Sequence, residues 1–167
     1  MRAFSRTIVL VALVGSSVLW TPSAGSAHAD SAHASKYVSG FRAAYLPVWK
    51  TLARVSKACP GPRTLAELPA CGARVAPFRT ALAGLYKYVT TTPPPAAAKA
   101  DVHTFSASIK VLQQRFATLA GYIKQKNLTR FLAMGGENSP IRNAIGAFFS
   151  TLGNVVVDVP GLRVPTA

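Results

Sequence analysis

Acidic side chains are scarce in this sequence. The 167 residues carry five Asp and Glu against 19 Lys and Arg, a formal charge of +14 with histidine neutral. A bundle-borne di-iron centre takes four glutamates and two Glu-x-x-His pairs. The only glutamates are Glu67 and Glu137, so that chemistry is excluded. Histidine is as thin, with His28, His33 and His103. Asp101 and His103 stand two apart and would point to different sides of a helix, which is no dyad. Patterns for a nucleophile elbow, a phosphate loop or a helical zinc protease are missing. The chain is expected not to be an enzyme, and no cofactor or metal is expected.

Two further absences narrow the architecture. Alternation of the strand type is missing over any useful length, apart from Val155-Val156-Val157. Beyond the N-terminus, no apolar run reaches the ~20 residues that span a bilayer.

The N-terminus itself has a layout. Met1 to Arg6 is short and positive, Ile8 to Trp20 is apolar, and Pro22 with small residues leads to Ala27-His28-Ala29. This order is that of a secretory signal, with cleavage expected after Ala29. The alternative, a membrane anchor, meets a run shorter than the ~20 residues required. Arg2 and Arg6 are not adjacent, and no cysteine follows the run for lipid attachment. Removal of residues 1–29 would leave 138 residues with 17 Lys+Arg and 5 Asp+Glu, a formal +12. That length suits one core. The expected location is extracytoplasmic.

What is abundant is helical rhythm. Val102, Phe105, Ile109, Leu112, Phe116, Leu119 and Ile123 recur at spacings of 3 and 4. That is one stripe of a helix with 3.6 residues per turn, and a stripe of this kind must be buried. Three more follow the same rule: Val38, Phe41, Tyr45, Val48, Leu52, Val55, Cys59; Cys71, Val75, Phe78, Leu82, Leu85, Val89; and Ile141, Ile145, Phe148, Leu152, Val155. The spacing predicts helices over about 35–58, 70–91, 96–126 and 140–153, with residues 30–36 as a loose leader. Pro47 and Pro77 fall off the stripes, where a proline bends a helix without facing the core.

The punctuation agrees. Pro60-Gly61-Pro62 should stop the first helix, and Thr64 to Glu67 reads as a capping box opening a short turn of helix that Pro69 ends or redirects. The run Thr90 to Pro95 is an extended connector. Asn127 is expected to cap a short helical piece carrying Leu128, Phe131 and Leu132. Asn127-Leu128-Thr129 also fits a glycosylation acceptor. Gly135-Gly136 interrupts that piece, Ser139-Pro140 restarts the helix, and Gly153-Asn154 should end it.

The expected fold is all-α: an antiparallel up-and-down four-helix bundle over residues 30–154, followed by an extended tail over 155–167. Cys59 ends one stripe and Cys71 opens the next. A disulfide between them would staple that helical hairpin. A metal pair is the alternative, but a spacing of 12 with no histidine nearby does not suit one.

Two sets of candidate binding residues remain. Lys36, Lys50 and Lys57 recur on one outward side of the first helix, and Arg42, Arg54 and further cations add to the charge from elsewhere; the alternative is an ordinary solvated surface. A basic surface attracts anions. The expected partner is an anionic surface or polymer: lipid headgroups, an acidic envelope polymer or another polyanion. Aromatic interleaving and base-reading motifs are missing, so specific nucleic-acid recognition is not expected. The second set is Trp49, Tyr86, Tyr88, His103 and Phe149, which flank the stripes. They could line a pocket for an apolar or haem-like ligand, with Tyr86, Tyr88, Tyr122 or Met134 as partners of His103. The first reading of the aromatics among them is that they widen the core.

Overall fold

The computed structural model describes residues 24–59, 64–135 and 139–165, with side chains from residue 31 onward. Five helices occur in it: α1 (Ala24–Ala58), α2 (Leu68–Thr91), α3 (Lys99–Lys124), the short α4 (Leu128–Gly135) and α5 (Pro140–Asp158). Single 3₁₀ turns at Leu65–Glu67 and Ala96–Ala98 lead into α2 and α3. No strand is present among the described residues. The four long helices form an antiparallel up-and-down bundle, α1 on α2, α2 on α3 and α3 on α5, with α4 against α3 and α5.

The stripes build the interior. Every member of the α2 stripe is buried, as are Val102 to Leu119 of the α3 stripe, with Ile123 half-buried. Rings link the layers: Phe41 to Phe105 at 6.0 Å, Phe105 to Phe148 at 5.2 Å, and Phe78 edge-on to Phe116 at 4.6 Å between centroids. Each fully buried ring of this kind contributes about 1.5–3 kcal/mol over an exposed one. Two stripe members shift by one residue. Tyr37, not Val38, is buried in α1, because it lies on the side of Tyr88 in α2. In α5 Ala144 is buried while Ile145 is half-buried at the edge of a groove described below.

The Cys59–Cys71 bond is formed, with Cα atoms 5.1 Å apart, and it ties the end of α1 to the first turn of α2. Such a bond belongs to an oxidising, extracytoplasmic compartment. Among the described residues no helix is long and apolar enough to cross a membrane. At the far end of the same hairpin, the Tyr88 hydroxyl donates to the Tyr37 carbonyl at 2.9 Å. This approach requires Gly40: a β-carbon there would stand 2.6 Å from the Tyr88 hydroxyl. The hairpin is thus fixed at both ends.

Several expectations need correction. Residues 30–36 are not a loose leader; α1 begins at Ala24. Alanine recurs through 24–34 and has the best intrinsic helix propensity. The cleavage expectation falls mostly on residues outside those described, as do Pro60-Gly61-Pro62 and Gly136. Thr64 makes no side-chain cap; its carbonyl accepts from Glu67 N at 3.3 Å instead. Pro69 does not end a helix but sits in the first turn of α2, where a proline is tolerated. Both Pro47 and Pro77 are exposed within continuous helices, on the outward side expected. The two later caps form as read. Asn127 Oδ1 accepts from Arg130 N at 3.1 Å, and Ser139 Oγ from Arg142 N at 3.2 Å.

The tail also begins later than expected. Gly153-Asn154 does not stop α5, which runs to Asp158. Leu152, Val155 and Val159 continue the stripe and are all nearly fully buried. That burial outweighs the ~1 kcal/mol by which a mid-helix glycine is unfavourable. The chain then turns through Gly161, whose φ of +76° suits glycine. It lies along α1: Arg42 donates from Nε to the Arg163 carbonyl (3.1 Å) and from Nη2 to the Gly161 carbonyl (3.0 Å). The Tyr45 hydroxyl donates to the Pro165 carbonyl at 3.0 Å.

Candidate functional site

Charge is not spread evenly along the bundle. Arg54, Lys57, Arg74, Lys124, Lys126, Arg130 and Arg142 are all exposed and belong to the end that holds the disulfide. Glu67 is the acidic residue among the described ones there. The Arg130 guanidinium rests over the Tyr122 ring, 5.9 Å from its centroid. The opposite end carries fewer exposed cations, Lys36, Arg42, Lys87, Lys99 and Arg163, together with Asp101 in the first turn of α3 and Asp158 at the close of α5. A hydrogen bond to Asp158 raises the Asp101 carboxyl above its ordinary value, with partial burial and the like charge of Asp158 adding to the effect.

The five basic candidates on α1 are all exposed, but they do not form one site. Arg54 and Lys57 join the disulfide end. Lys36 is at the other, and Lys50 lies between. Arg42 is committed to the tail carbonyls and serves the fold.

The aromatic candidates are not gathered either. Trp49 meets Phe149 edge-on at 6.3 Å, across the gap between α1 and α5. Tyr88 packs on Tyr37 and Phe41 at the far end of the hairpin. Tyr86 is half-buried on α2, and His103 is exposed on α3. Phenol groups near the core are shifted. Burial pushes Tyr45 up to about 12, and burial followed by the neighbouring Tyr88 raises Tyr37. The buried Tyr37 hydroxyl has no hydrogen-bond partner among the described residues. No cluster of three or more metal-ligating side chains occurs among the described residues.

The gap between α1 and α5 holds the feature that the sequence did not disclose. These two helices barely approach one another, unlike the other neighbouring pairs. The tail lies beside Arg42 and Tyr45, leaving a hollow of about 490 Å³ between itself and α5, and Trp49 with Phe149 closes the middle of the gap. Towards the disulfide it stays open as a groove of about 530 Å³. Leu52, Val55 and Cys59 form one wall, Ile141 and Ile145 the other, and Phe116, Leu119 and Phe131 the floor. Arg142 and Ser56 border it. Ser139 lines it too, at 4% exposure, and is the one buried polar side chain among the described residues. Signals for this groove were present in sequence: the Gly135-Gly136 break, the Ser139 cap and Arg142 next to an apolar stripe. Their convergence depends on how far apart α1 and α5 stand, which no local pattern encodes. No protein-family profile, curated protein or solved structure matches this chain.

Proposed function

We propose that this protein is an exported, non-enzymatic binding protein whose disulfide end docks on an anionic partner, either an acidic envelope polymer or the headgroups of anionic lipid. The observation that carries the reading is the skew of charge: seven exposed cations with Glu67 at the disulfide end, against Lys36, Arg42, Lys87, Lys99 and Arg163 with the paired Asp101 and Asp158 at the other. A surface with an excess of one sign attracts an oppositely charged partner and speeds encounter. Near an anionic lipid surface each cation contributes about 1 kcal/mol within a Debye length. Export is supported by the three-part N-terminus and by a disulfide that an oxidising compartment would preserve.

The test compares the two ends. Retention on heparin and on anionic vesicles is measured at low and high salt for three proteins. These are the parent, Lys124→Glu/Lys126→Glu/Arg130→Glu, and Lys36→Glu/Lys87→Glu/Lys99→Glu. The first triple variant should bind about a hundredfold more weakly, from the loss of about 1 kcal/mol per cation. The second should stay close to the parent. Equal losses in both would mean that the positive charge serves solubility alone, and retention indifferent to salt would remove the proposal.

A further inference from the structure

The open half of the α1–α5 gap has two kinds of wall, and together they describe a ligand. Its length is apolar: Leu52, Val55, Phe116, Leu119, Phe131 and Ile145. At about 530 Å³ it falls within the ~300–1,000 Å³ common for small-ligand clefts. Its disulfide-side end is polar and positive. Arg142 is exposed and lines this end of the cleft together with Ser139. The Ser139 hydroxyl already accepts from Arg142 N, so its own O–H is the donor it has to offer. Both residues open α5, a 19-residue helix whose first turn carries the positive end of the helix dipole. The two residues thus provide a charge, a donor and a dipole of one sign.

We infer that this groove binds a single-chain anionic amphiphile, its acyl tail laid between α1 and α5 and its carboxylate or phosphate held at Arg142 and Ser139. The inference rests on the reading above, since the same positive end would attract the ligand, but it concerns a different set of side chains. Apolar walls remove the tail from water, and each added methylene strengthens binding until the groove is filled. Closure by Trp49 and Phe149 sets where that filling stops. A charged head at the guanidinium gains a charge-assisted hydrogen bond, which fixes the direction in which the tail enters.

Trp49 borders the closed end, so its emission is the natural readout, with calorimetry for affinity. The probes are octanoate, decanoate, dodecanoate, dodecyl phosphate and dodecyltrimethylammonium, all below their micelle concentrations. Binding should tighten by about tenfold for each two methylenes and then level off. The phosphate should bind comparably to the carboxylate, and the cation much more weakly. Arg142→Gln should weaken the anions by at least about fivefold and leave the cation unchanged. The α5 cap uses the backbone N–H of Arg142, so this exchange leaves the helix capped. Ile145→Phe, at the mouth, should weaken every tail alike.

Retention on heparin without any dodecanoate binding would overturn the groove assignment and leave the docking proposal standing. Equal binding of anion and cation, unaffected by Arg142→Gln, would overturn the assignment of the head. Loss of salt-sensitive heparin retention with dodecanoate binding intact would overturn the docking proposal alone.

Discussion

Helix α1 is packed in two different ways on its two sides. Towards α2 the contact is direct: the disulfide holds one end, and the Tyr88 hydroxyl, set against Gly40, holds the other. Towards α5 the contact is indirect, made by the tail and by Trp49 on Phe149, and from there towards the disulfide the described residues leave a groove. One side spends its apolar surface on the neighbouring helix. The other keeps some of it as the walls of a groove. Closing three sides of a bundle tightly is what allows the fourth to remain open without loss of the core.

The strongest test breaks the closed side. Cys59→Ala/Cys71→Ala should lower unfolding free energy by about 3 kcal/mol, read from urea midpoints, since the crosslink restricts the unfolded chain. Helical circular dichroism before the transition should be unchanged. At the other end of that hairpin, Gly40→Ala should cost about 1–3 kcal/mol, because the new β-carbon overlaps Tyr88. Gly84→Ala and Gly146→Ala, where nothing lies within 4 Å, should instead gain up to about 1 kcal/mol from helix propensity. A gain at Gly40 would show that α1 and α2 are not held there.

The open side is probed through its tail. Tyr45→Phe removes the bond to the Pro165 carbonyl and should cost about 1 kcal/mol at neutral pH. It should also change the alkaline limb. The folded-state phenol titrates near 12, above the value of about 10 for an unfolded tyrosine. Its neutral form therefore stabilises the fold below pH about 10, and that contribution is lost as pH rises through about 12. The variant should lose less stability than the parent over that range. The smallest effect belongs to the acidic pair. Asp101 is raised, so its protonation favours the folded state; that support is present below the ordinary carboxylate range and fades as pH rises through the folded value. Asp158→Asn should stabilise slightly at neutral pH, and the gain should vanish in acid. A melting series from pH 3 to 7 reads the difference.

How much of this was legible in the residues follows from what each feature depends on. The four helices, the staple and the caps at Asn127 and Ser139 are local or nearly so. Their spacing of 3 and 4, the pairing of two stripe ends, and a polar residue ahead of an apolar run are enough. Where tertiary burial competes with a local signal, the signal loses, as at Gly153-Asn154, where Val155 and Val159 are drawn into the core. The aromatic set was grouped because all five residues flank stripes. Flanking says which way a side chain leans from its own helix, not which neighbour it meets; Tyr88 and Trp49 lean into different interfaces. The groove was illegible for the same reason, since it is made by the distance between two helices and by the end point of the tail.

Fastening the first hairpin at top and bottom has a mechanical consequence. Two clamps on one pair of rods leave torsion as their softest shared motion, whereas a rod held on one side by a laid-in strap can swing outward. Slack in this molecule would therefore collect on the side of α5 that faces α1. A guest that enters there would widen the space beside α1 while α5 stays packed on α3.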